Sequence, residues 1–310
     1  MRDFTVREKE RLLDFLFRVL SDTKKTRVRQ FLKLGLVSVN GLSTTRFDHP
    51  LEPGAKVSLR TAKEAQFPAS PQFGVEVIFE DDSLIVIHKP SGLLTVATTK
   101  VATRTAFYAT NDYLCTAETK QRYHRRPPEA GPIRGKKIFV VHRLDKDASG
   151  LLVFAKDLEV KLRLQTGWKK VTKRYYAMVE GVPKEPHGTV TSFLRENKTL
   201  KVYSTKNTEN SKLSTTHYRV LRTSPHYSLL EVELKTGRKH QIRVHLSDLG
   251  HPITGDSLYG SKSNPAGRLA LHAYYLAFKH PVNGREMIFQ IPLPESFDRA
   301  LALDHSSSSS

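Results

Sequence analysis

The chain has 310 residues, 38% of them hydrophobic, which is enough for two domains with packed cores and argues against global disorder. Lysine and arginine total 50 against 31 acidic residues, and this excess of base indicates a polyanionic partner, most simply nucleic acid. Solubility alone is the alternative explanation of the charge. With Cys115 as the one cysteine, an internal disulfide and a cysteine metal cluster are excluded. Without an apolar leader or a run of membrane-spanning length, we expect a cytoplasmic protein that does not contact membranes.

Residues 1–62 are predicted to form a small unit of two helices and a hairpin. Apolar residues at helical spacing predict a first helix over residues 7–20, and a second one ends at Gly35. Strands follow over residues 36–39 and 56–59, and Asn40-Gly41 is a strong hairpin signal. The second helix combines an apolar side with a basic side made of Lys24, Lys25, Arg27, Arg29 and Lys33. We expect these cations to bind phosphates of structured RNA, although a solvated helix face is the alternative.

Residues 63–74 contain scattered proline and glycine and are predicted to be an interdomain linker. Strands are predicted over residues 75–80 and 84–89, and a helix over residues 105–114. Lys89 ends the second of these strands, where it either touches a substrate phosphate or is simply a strand-end lysine. Residues 120–137 form a basic, irregular loop that is suited to wrapping an RNA backbone. An insertion without a function explains that loop equally well.

The best candidate for a reactive group is Asp145, which lies in a charged turn between two apolar strands over residues 138–141 and 151–155. Far downstream, Arg243 lies in a helix predicted to begin at Gln241, and a buried arginine needs a carboxylate partner. We therefore predict an ion pair that keeps Asp145 ionised and positioned. Tyr175, in a strand over residues 169–181, either stacks on an unpaired base or packs in the core.

Two other chemistries are disfavoured by spacing. Ser149, His142 and Asp145 suggest a hydrolase, but the chain has no Gly-x-Ser-x-Gly turn around the serine. His240 and His245 suggest metal ligands, but their separation does not place them on one helical face, and no carboxylate is spaced to complete the site. We therefore expect no metal.

Several motifs carry a resemblance to the RluA family of pseudouridine synthases. They are His142-Arg143-Leu144-Asp145 with Ser149-Gly150-Leu151-Leu152, then Lys173-x-Tyr175-x-Ala177, then Thr236 to His245 with Gly250-His251-Pro252-Ile253 and Gly255-Asp256, and finally Leu271-His272-Ala273 with Pro281 and Pro292-Leu293-Pro294. Their order matches the family over residues 75–299. Separately, residues 26–41 resemble the small RNA-binding domain of ribosomal protein S four, and that likeness extends over about residues 4–62.

The resemblance implies an α+β protein, with a mixed, largely antiparallel central sheet flanked by helices in residues 75–299 and a small N-terminal αβ RNA-binding domain in residues 1–62. It implies isomerisation of uridine to pseudouridine in structured RNA, without a cofactor. Asp145, Arg243 and Tyr175 would be catalytic, as nucleophile or base, ion-pair partner and stacking platform. Arg143, Leu271, Lys89 and Lys173 would contact the substrate.

Large-subunit ribosomal RNA is the preferred substrate, and transfer RNA the alternative. A non-catalytic RNA-binding factor in ribosome assembly is the rival class, and a metal-dependent nuclease is disfavoured because clustered carboxylates are lacking. We expect a monomer, with residues 300–310 as a disordered tail.

Overall fold

A computed structural model of the chain describes residues 2–23, 25–33, 37–40, 42–44, 46–59, 71–114 and 138–307. The chain forms two compact units. The first comprises Met1–Arg143, Leu151–Gly167 and Ala277–Ile291, and the second comprises Leu144–Gly150, Trp168–Leu276 and Pro292–Ser310. The predicted linker lies outside the described residues as far as residue 70, so the proposed boundary between residues 62 and 75 stays a prediction.

The N-terminal residues of the first unit bury a hydrophobic cluster drawn from residues 6–59. The elements are β1 (Arg2–Thr5), β2 (Glu10–Arg11), α1 (Leu12–Val19), α2 (Lys25–Lys33), β3 (Val37–Val39), β4 (Leu42–Ser43), β5 (Pro50–Leu51) and β6 (Lys56–Leu59). One sheet has the order β1-β6-β3-β4, and β2 pairs with β5. The first helix begins later than predicted because Glu10 and Arg11 pair with Leu51 and Pro50.

Two of the five predicted RNA-binding cations can be placed. Lys25 and Arg29 are exposed on α2, and their charged groups lie 5.5 Å and 5.4 Å from the centre of the Phe17 ring. Lys24, the side chains of Arg27 and Lys33, and the residues Gly35, Gly41 and Cys115 lie outside the described residues. The same holds for the basic loop 120–137.

The rest of the first unit contains the strands that precede and follow the predicted reactive turn. They are β7 (Glu76–Glu80), β8 (Leu84–Lys89), α3 (Ala106–Leu114), β9 (Phe139–Val140), β10 (Ser149–Ala155) and α4 (Leu158–Gly167). Both flanking strands were predicted, and β9 pairs with β10. Every residue of β10 is buried, as its apolar sequence requires.

The second unit is dominated by antiparallel strands. Its elements are β11 (Thr172–Glu180), β12 (His187–Glu196), β13 (Val202–Thr205), β14 (Lys212–Thr223), β15 (Tyr227–Leu234), α5 (Gln241–Asp248) and β16 (Leu271–Lys279), whose last residues enter the first unit together with β17 (Glu286–Gln290), and then α6 (Glu295–Ser307). The strand order is β13-β12-β14-β15-β11-β16. The first residues of β10 pair with β16 in parallel. The predicted α+β class with a mixed, largely antiparallel sheet is confirmed.

The predicted disordered tail is wrong for residues 300–307, because α6 extends to Ser307. Phe297, Ala300 and Leu301 are buried at helical spacing, which gives these residues a packed face. The Asp304 carboxylate accepts hydrogen bonds from the backbone N–H of His226 and from its Nδ1, both at 2.8 Å. No helix within the described ranges is long and apolar enough to cross a membrane.

Candidate active site

The loop that carries Asp145 is anchored at its C-terminal end by a close approach of two strands. Ser149 and Gly150 pair in parallel with His272 and Ala273. Gly150 has φ +124°, and a Cβ there would lie 2.3 Å from the Ala273 carbonyl oxygen. Glycine alone is compatible with both conditions. Leu271 precedes the paired residues on β16, so this anchor holds the Asp145 loop against the start of that strand.

Asp145 and Arg243 form the predicted ion pair. Nη1 of Arg243 lies 3.3 Å from Oδ2 of Asp145, and the two side chains are 10% and 24% exposed. The guanidinium has a second carboxylate partner, because Nε and Nη2 donate to the two oxygens of Asp256 at 2.7 Å and 2.8 Å. Burial opposes the charge of Arg243, but the hydrogen bonds that it donates to Asp256 and the charges of Asp256 and Asp145 outweigh burial and raise the arginine pKa.

Asp256 is therefore the residue that orients Arg243. Its side chain is 1% exposed, and it grips the guanidinium in the two-bond geometry that restricts an arginine most strongly. Its segment runs beside β11, where Thr254 donates its N–H to Met178 and Glu180 donates its N–H to Pro252. Asp145 then receives the one guanidinium nitrogen that Asp256 leaves available.

The turn before α5 is held by a single side chain, Gln241. Its Oε1 accepts hydrogen bonds from Thr236 Oγ1 at 2.8 Å and from the Arg238 N–H at 3.1 Å. Its Nε2 donates to the Thr215 carbonyl at 3.0 Å and to Thr216 Oγ1 at 2.9 Å. Both ends of this amide are thus satisfied by the turn and by β14, which fixes the start of the helix that carries Arg243.

His240 lies beside Asp145 at the start of that helix. Its Nε2 is 3.9 Å from Oδ1 of Asp145, and its Nδ1 is 2.8 Å from the Tyr259 hydroxyl. The backbone of His240 is left-handed, with φ 53°, a conformation that is uncommon for residues other than glycine. The Arg243 guanidinium lies over the ring of the same tyrosine, 4.9 Å from the ring centre. Asp145 is therefore bordered by a guanidinium on one oxygen and an imidazole on the other.

Tyr175, Lys173 and Leu271 also belong to the second unit. Tyr175 and Lys173 point to the same face of β11, and all three side chains are buried. Burial and the charge of Asp145 both raise the pKa of Tyr175, so its hydroxyl stays protonated near this carboxylate. Lys173 donates to the Trp168 carbonyl at 3.1 Å, and burial lowers its pKa to about 8 against the opposing charge of Glu233. Of the three, Tyr175 is the one whose pKa responds to the charge of Asp145, and the predicted substrate contacts of Lys173 and Leu271 stay predictions.

The remaining predicted substrate contacts lie in the first unit. Arg143 is exposed. Lys89 is 0% exposed, and its Nζ donates to the carbonyls of Pro90 and Leu93 at 2.8 Å and 2.7 Å. This placement favours the strand-end interpretation of Lys89, because a buried ammonium bound to backbone carbonyls is not offered to a phosphate. His142 Nε2 accepts a hydrogen bond from the Val153 N–H, which is also a structural role.

The hydrolase interpretation has no support in the geometry. Ser149 is buried, its Oγ accepts a hydrogen bond from Arg268 Nη2 at 2.6 Å, and it lies 2.7 Å from Nδ1 of His272. The serine therefore contributes to the anchor between β10 and β16. Within the part of the chain that the structure describes, no group of three or more His, Cys, Asp or Glu side chains is arranged to hold a metal ion.

Sequence reasoning missed the roles of Asp256, His240 and Tyr259. The signal for Asp256 was present, since a buried guanidinium has more donors than one carboxylate accepts in a two-bond geometry. Gly255, at φ +79°, was a further signal, because a Cβ there would lie 2.4 Å from the Arg268 carbonyl oxygen. No local pattern indicates the contact between His240 and Tyr259, because 19 positions separate them in the chain.

The chain is similar to known proteins in sequence and in fold. Residues 83–248 match the family described as RNA pseudouridylate synthase. An RNA pseudouridine synthase of Bacillus subtilis is 33% identical, with 92% of this chain and 91% of that protein covered. A protein of Vibrio cholerae named ribosomal large subunit pseudouridine synthase D is 32% identical, with 95% and 91% covered. The solved structure titled human RNA pseudouridylate synthase domain containing 4 is 26% identical with a TM-score of 0.54, and covers 73% of this chain and 91% of that one.

Proposed function

The chain belongs to the RNA pseudouridylate synthase family, and we propose that Asp145 is the carboxylate at which it isomerises uridine in RNA. The observation that carries this proposal is the chain of contacts from Asp256 through Arg243 to Asp145, with Tyr175 close enough for its pKa to respond to the Asp145 charge. A buried guanidinium with two carboxylates fixes the orientation of the more exposed one, which is what a reactive group requires.

The isomerisation needs a positioned carboxylate and a uracil ring that is sheltered from water. The bond from ribose C1′ to N1 of the uracil breaks, the ring turns, a bond forms from C1′ to C5, and the C5 proton is lost while N1 gains one. Reactant and product have the same atoms and the same number of electrons. Asp145 acts as nucleophile or base at the ribose, Tyr175 supports the turning ring, and Leu271 lines the apolar side. The uridine must leave its stack first, at a cost of a few kcal/mol, and Arg143 takes its place against the neighbouring bases.

We further propose that the substrate is large-subunit ribosomal RNA and that the enzyme is of the RluA type. Five relatives that match 92–95% of this chain carry the name ribosomal large subunit pseudouridine synthase D, which supports this choice over transfer RNA. An N-terminal RNA-binding domain like that of ribosomal protein S four is part of the proposal. Its support is the separate hydrophobic cluster within residues 6–59 and the exposed cations Lys25 and Arg29. We also propose a cytoplasmic monomer that works without a metal or cofactor.

The catalytic assignment is tested by Asp145→Asn, which keeps the size of the side chain. We expect no pseudouridine in purified RNA, because asparagine lacks the proposed reactive carboxylate. RNA affinity should be largely kept, because the RNA-binding surface is unchanged. The control is Asp147→Asn, the same change two positions away on the exposed side of the loop. Full activity of Asp145→Asn, or equal loss in both variants, contradicts the assignment. A wild-type protein that binds the RNA but forms no pseudouridine would instead favour the non-catalytic RNA-binding factor.

The substrate assignment is tested by mapping pseudouridines in all stable RNAs of a strain that lacks the gene. We expect sites to disappear from large-subunit ribosomal RNA and to return when the wild-type gene, but not the Asp145→Asn gene, is restored. Loss of sites from transfer RNA alone would make the enzyme a transfer RNA synthase with the same chemistry.

A further inference from the structure

The two oxygens of the Asp145 carboxylate face different partners. Oδ2 faces Arg243 Nη1 at 3.3 Å, and Oδ1 faces His240 Nε2 at 3.9 Å. The second distance is longer than a hydrogen bond. Catalytic hydrogen bonds are often long in an enzyme without its substrate and shorten in the complex. A small rotation of the carboxylate therefore brings Oδ1 within reach of the imidazole.

His240 is held in place by structure on both sides. Its carbonyl accepts the Val244 N–H at 3.0 Å, which commits its backbone to the first turn of α5. Its side chain is 15% exposed and meets the Tyr259 ring edge-on, with ring centres 5.7 Å apart. The left-handed backbone of His240 costs free energy, and such conformations concentrate at functional sites.

The tautomer of His240 follows from the hydrogen bonds of Tyr259. The Val202 N–H donates to the Tyr259 oxygen at 3.2 Å, so the phenol hydrogen is directed towards His240 Nδ1 at 2.8 Å. When Nδ1 accepts that hydrogen, a neutral imidazole carries its own hydrogen on Nε2. Nε2 is the atom that faces Asp145, so the arrangement presents a donor to the carboxylate.

The electrostatic surroundings favour this neutral form. Burial lowers the pKa of His240, the positive charges of Arg243 and Lys239 lower it further, and the carboxylates of Asp145 and Asp256 oppose the shift. A neutral imidazole with a fixed tautomer is a directional donor, because it holds one hydrogen in one place.

We propose that His240 is a positioning residue for Asp145, which it orients by donating Nε2–H to Oδ1, and that the Tyr259 hydroxyl sets the tautomer that makes this possible. With Arg243 on Oδ2, both oxygens of the carboxylate are then restrained. The inference rests on the proposed catalytic role of Asp145. It adds two residues to that site and assigns no step of the reaction to them.

The test compares three substitutions of His240 by the single-turnover rate and the dissociation constant of large-subunit ribosomal RNA isolated from a strain without the gene. In His240→Gln the amide nitrogen reaches the place of Nε2, whereas in His240→Asn it ends near the place of Nδ1. We expect His240→Ala and His240→Asn to slow the single turnover about 10- to 100-fold, the effect of one hydrogen bond to a charged group. His240→Gln should recover most of that rate, and RNA affinity should change little in all three.

This ranking separates positioning from backbone structure. Asparagine adopts the left-handed conformation more readily than glutamine. If His240 served only the turn, His240→Asn would be the better substitute in both stability and rate, and that order would overturn the proposal. An equal rate for all three variants and the wild type would overturn it as well. Thermal unfolding of each variant identifies any rate loss that comes from misfolding. Glutamine tolerates the left-handed backbone less well than asparagine. A faster His240→Gln enzyme would therefore show that the position of the amide nitrogen, and not the backbone, sets the rate.

The role of Tyr259 is tested by a double-mutant cycle. Tyr259→Phe removes the hydroxyl and keeps the ring under Arg243. We expect it to slow the wild-type enzyme about 3- to 10-fold, in line with a neutral hydrogen bond, and to add no further loss to His240→Ala. Equal losses in both backgrounds would show that Tyr259 acts apart from His240. Asp145→Asn is measured in parallel, because an active Asp145→Asn enzyme overturns the catalytic assignment itself, whereas an inactive one leaves the His240 ranking as the test of this inference.

Discussion

Asp145 and Asp256 contact the same guanidinium, and the structure predicts that neutralising each has a different consequence. Asp256 accepts two hydrogen bonds from Arg243, at 2.7 Å and 2.8 Å, and its side chain is 1% exposed. Asp145 accepts one, at 3.3 Å, and its side chain is 24% exposed. Asp256→Asn and Asp145→Asn are therefore matched changes that remove one negative charge from opposite sides of one arginine.

The expected loss of folding free energy in each variant follows from the burial of the carboxylate and the number of hydrogen bonds that it accepts from Arg243. Removing one partner of a buried ion pair costs about 3–5 kcal/mol of folding free energy, because the other charge is left uncompensated. Asp256→Asn keeps one acceptor, and Arg243 still has Asp145, so we expect the lower value, about 3 kcal/mol. Asp145→Asn weakens a longer and more exposed ion pair and leaves both hydrogen bonds from Arg243 to Asp256 in place. We therefore expect it to lower the folding free energy by about 1 kcal/mol or less.

The effects on activity should be in the opposite order. Asp145→Asn removes the proposed reactive group and should leave no product. Asp256→Asn leaves that group in place but loosens the guanidinium that orients it, so we expect the single-turnover rate to fall about tenfold, the equivalent of one weakened charged hydrogen bond. Urea unfolding gives the stabilities, and pseudouridine formation in purified RNA gives the rates, both for the same preparations of the two variants.

A surface control shows whether any loss of charge has these effects. Glu196→Gln breaks the exposed ion pair with Lys239, for which we expect a change of about 0.5 kcal/mol or less. If Asp145→Asn proved more destabilising than Asp256→Asn, Arg243 would be anchored mainly by Asp145, and the orienting role of Asp256 would be refuted. An Asp256→Asn enzyme with unchanged stability would refute it too.

Two further predictions concern charges elsewhere in the chain. Burial lowers the pKa of Lys173 from 10.5 to about 8, so the unfolded chain binds this proton more tightly than the folded chain between those values. Folding stability should therefore rise from about pH 8 to pH 10.5 by up to ~3 kcal/mol. Lys173→Met should remove that rise in urea unfolding followed against pH, and an unchanged profile would refute the shift. Lys25→Gln with Arg29→Gln should lower the slope of log affinity against log salt by about 1.5. An unchanged slope would show that these cations do not contact phosphates.

Much of the fold follows from local patterns in the sequence. The continuous apolar runs on either side of the Asp145 turn form β9 and β10, because the burial of a strand can be predicted from its own residues. The ends of the elements could be predicted less well from the sequence. Residues 10–11 form a strand because they pair with residues 50–51, and residues 300–307 form a helix because Asp304 and its apolar neighbours pack against other elements.

The sequence by itself predicted the ion pair between Asp145 and Arg243, since a buried guanidinium requires a carboxylate partner. The tertiary structure alone decided how they are held. Asp256, His240 and Tyr259 meet Arg243 and Asp145 through contacts between distant segments, and no local periodicity encodes such contacts. The tertiary structure also decided that the Lys89 ammonium donates hydrogen bonds to two backbone carbonyls. A lysine at a strand end has the same sequence pattern whether it points to solvent or inward, so only the packing around it shows its direction.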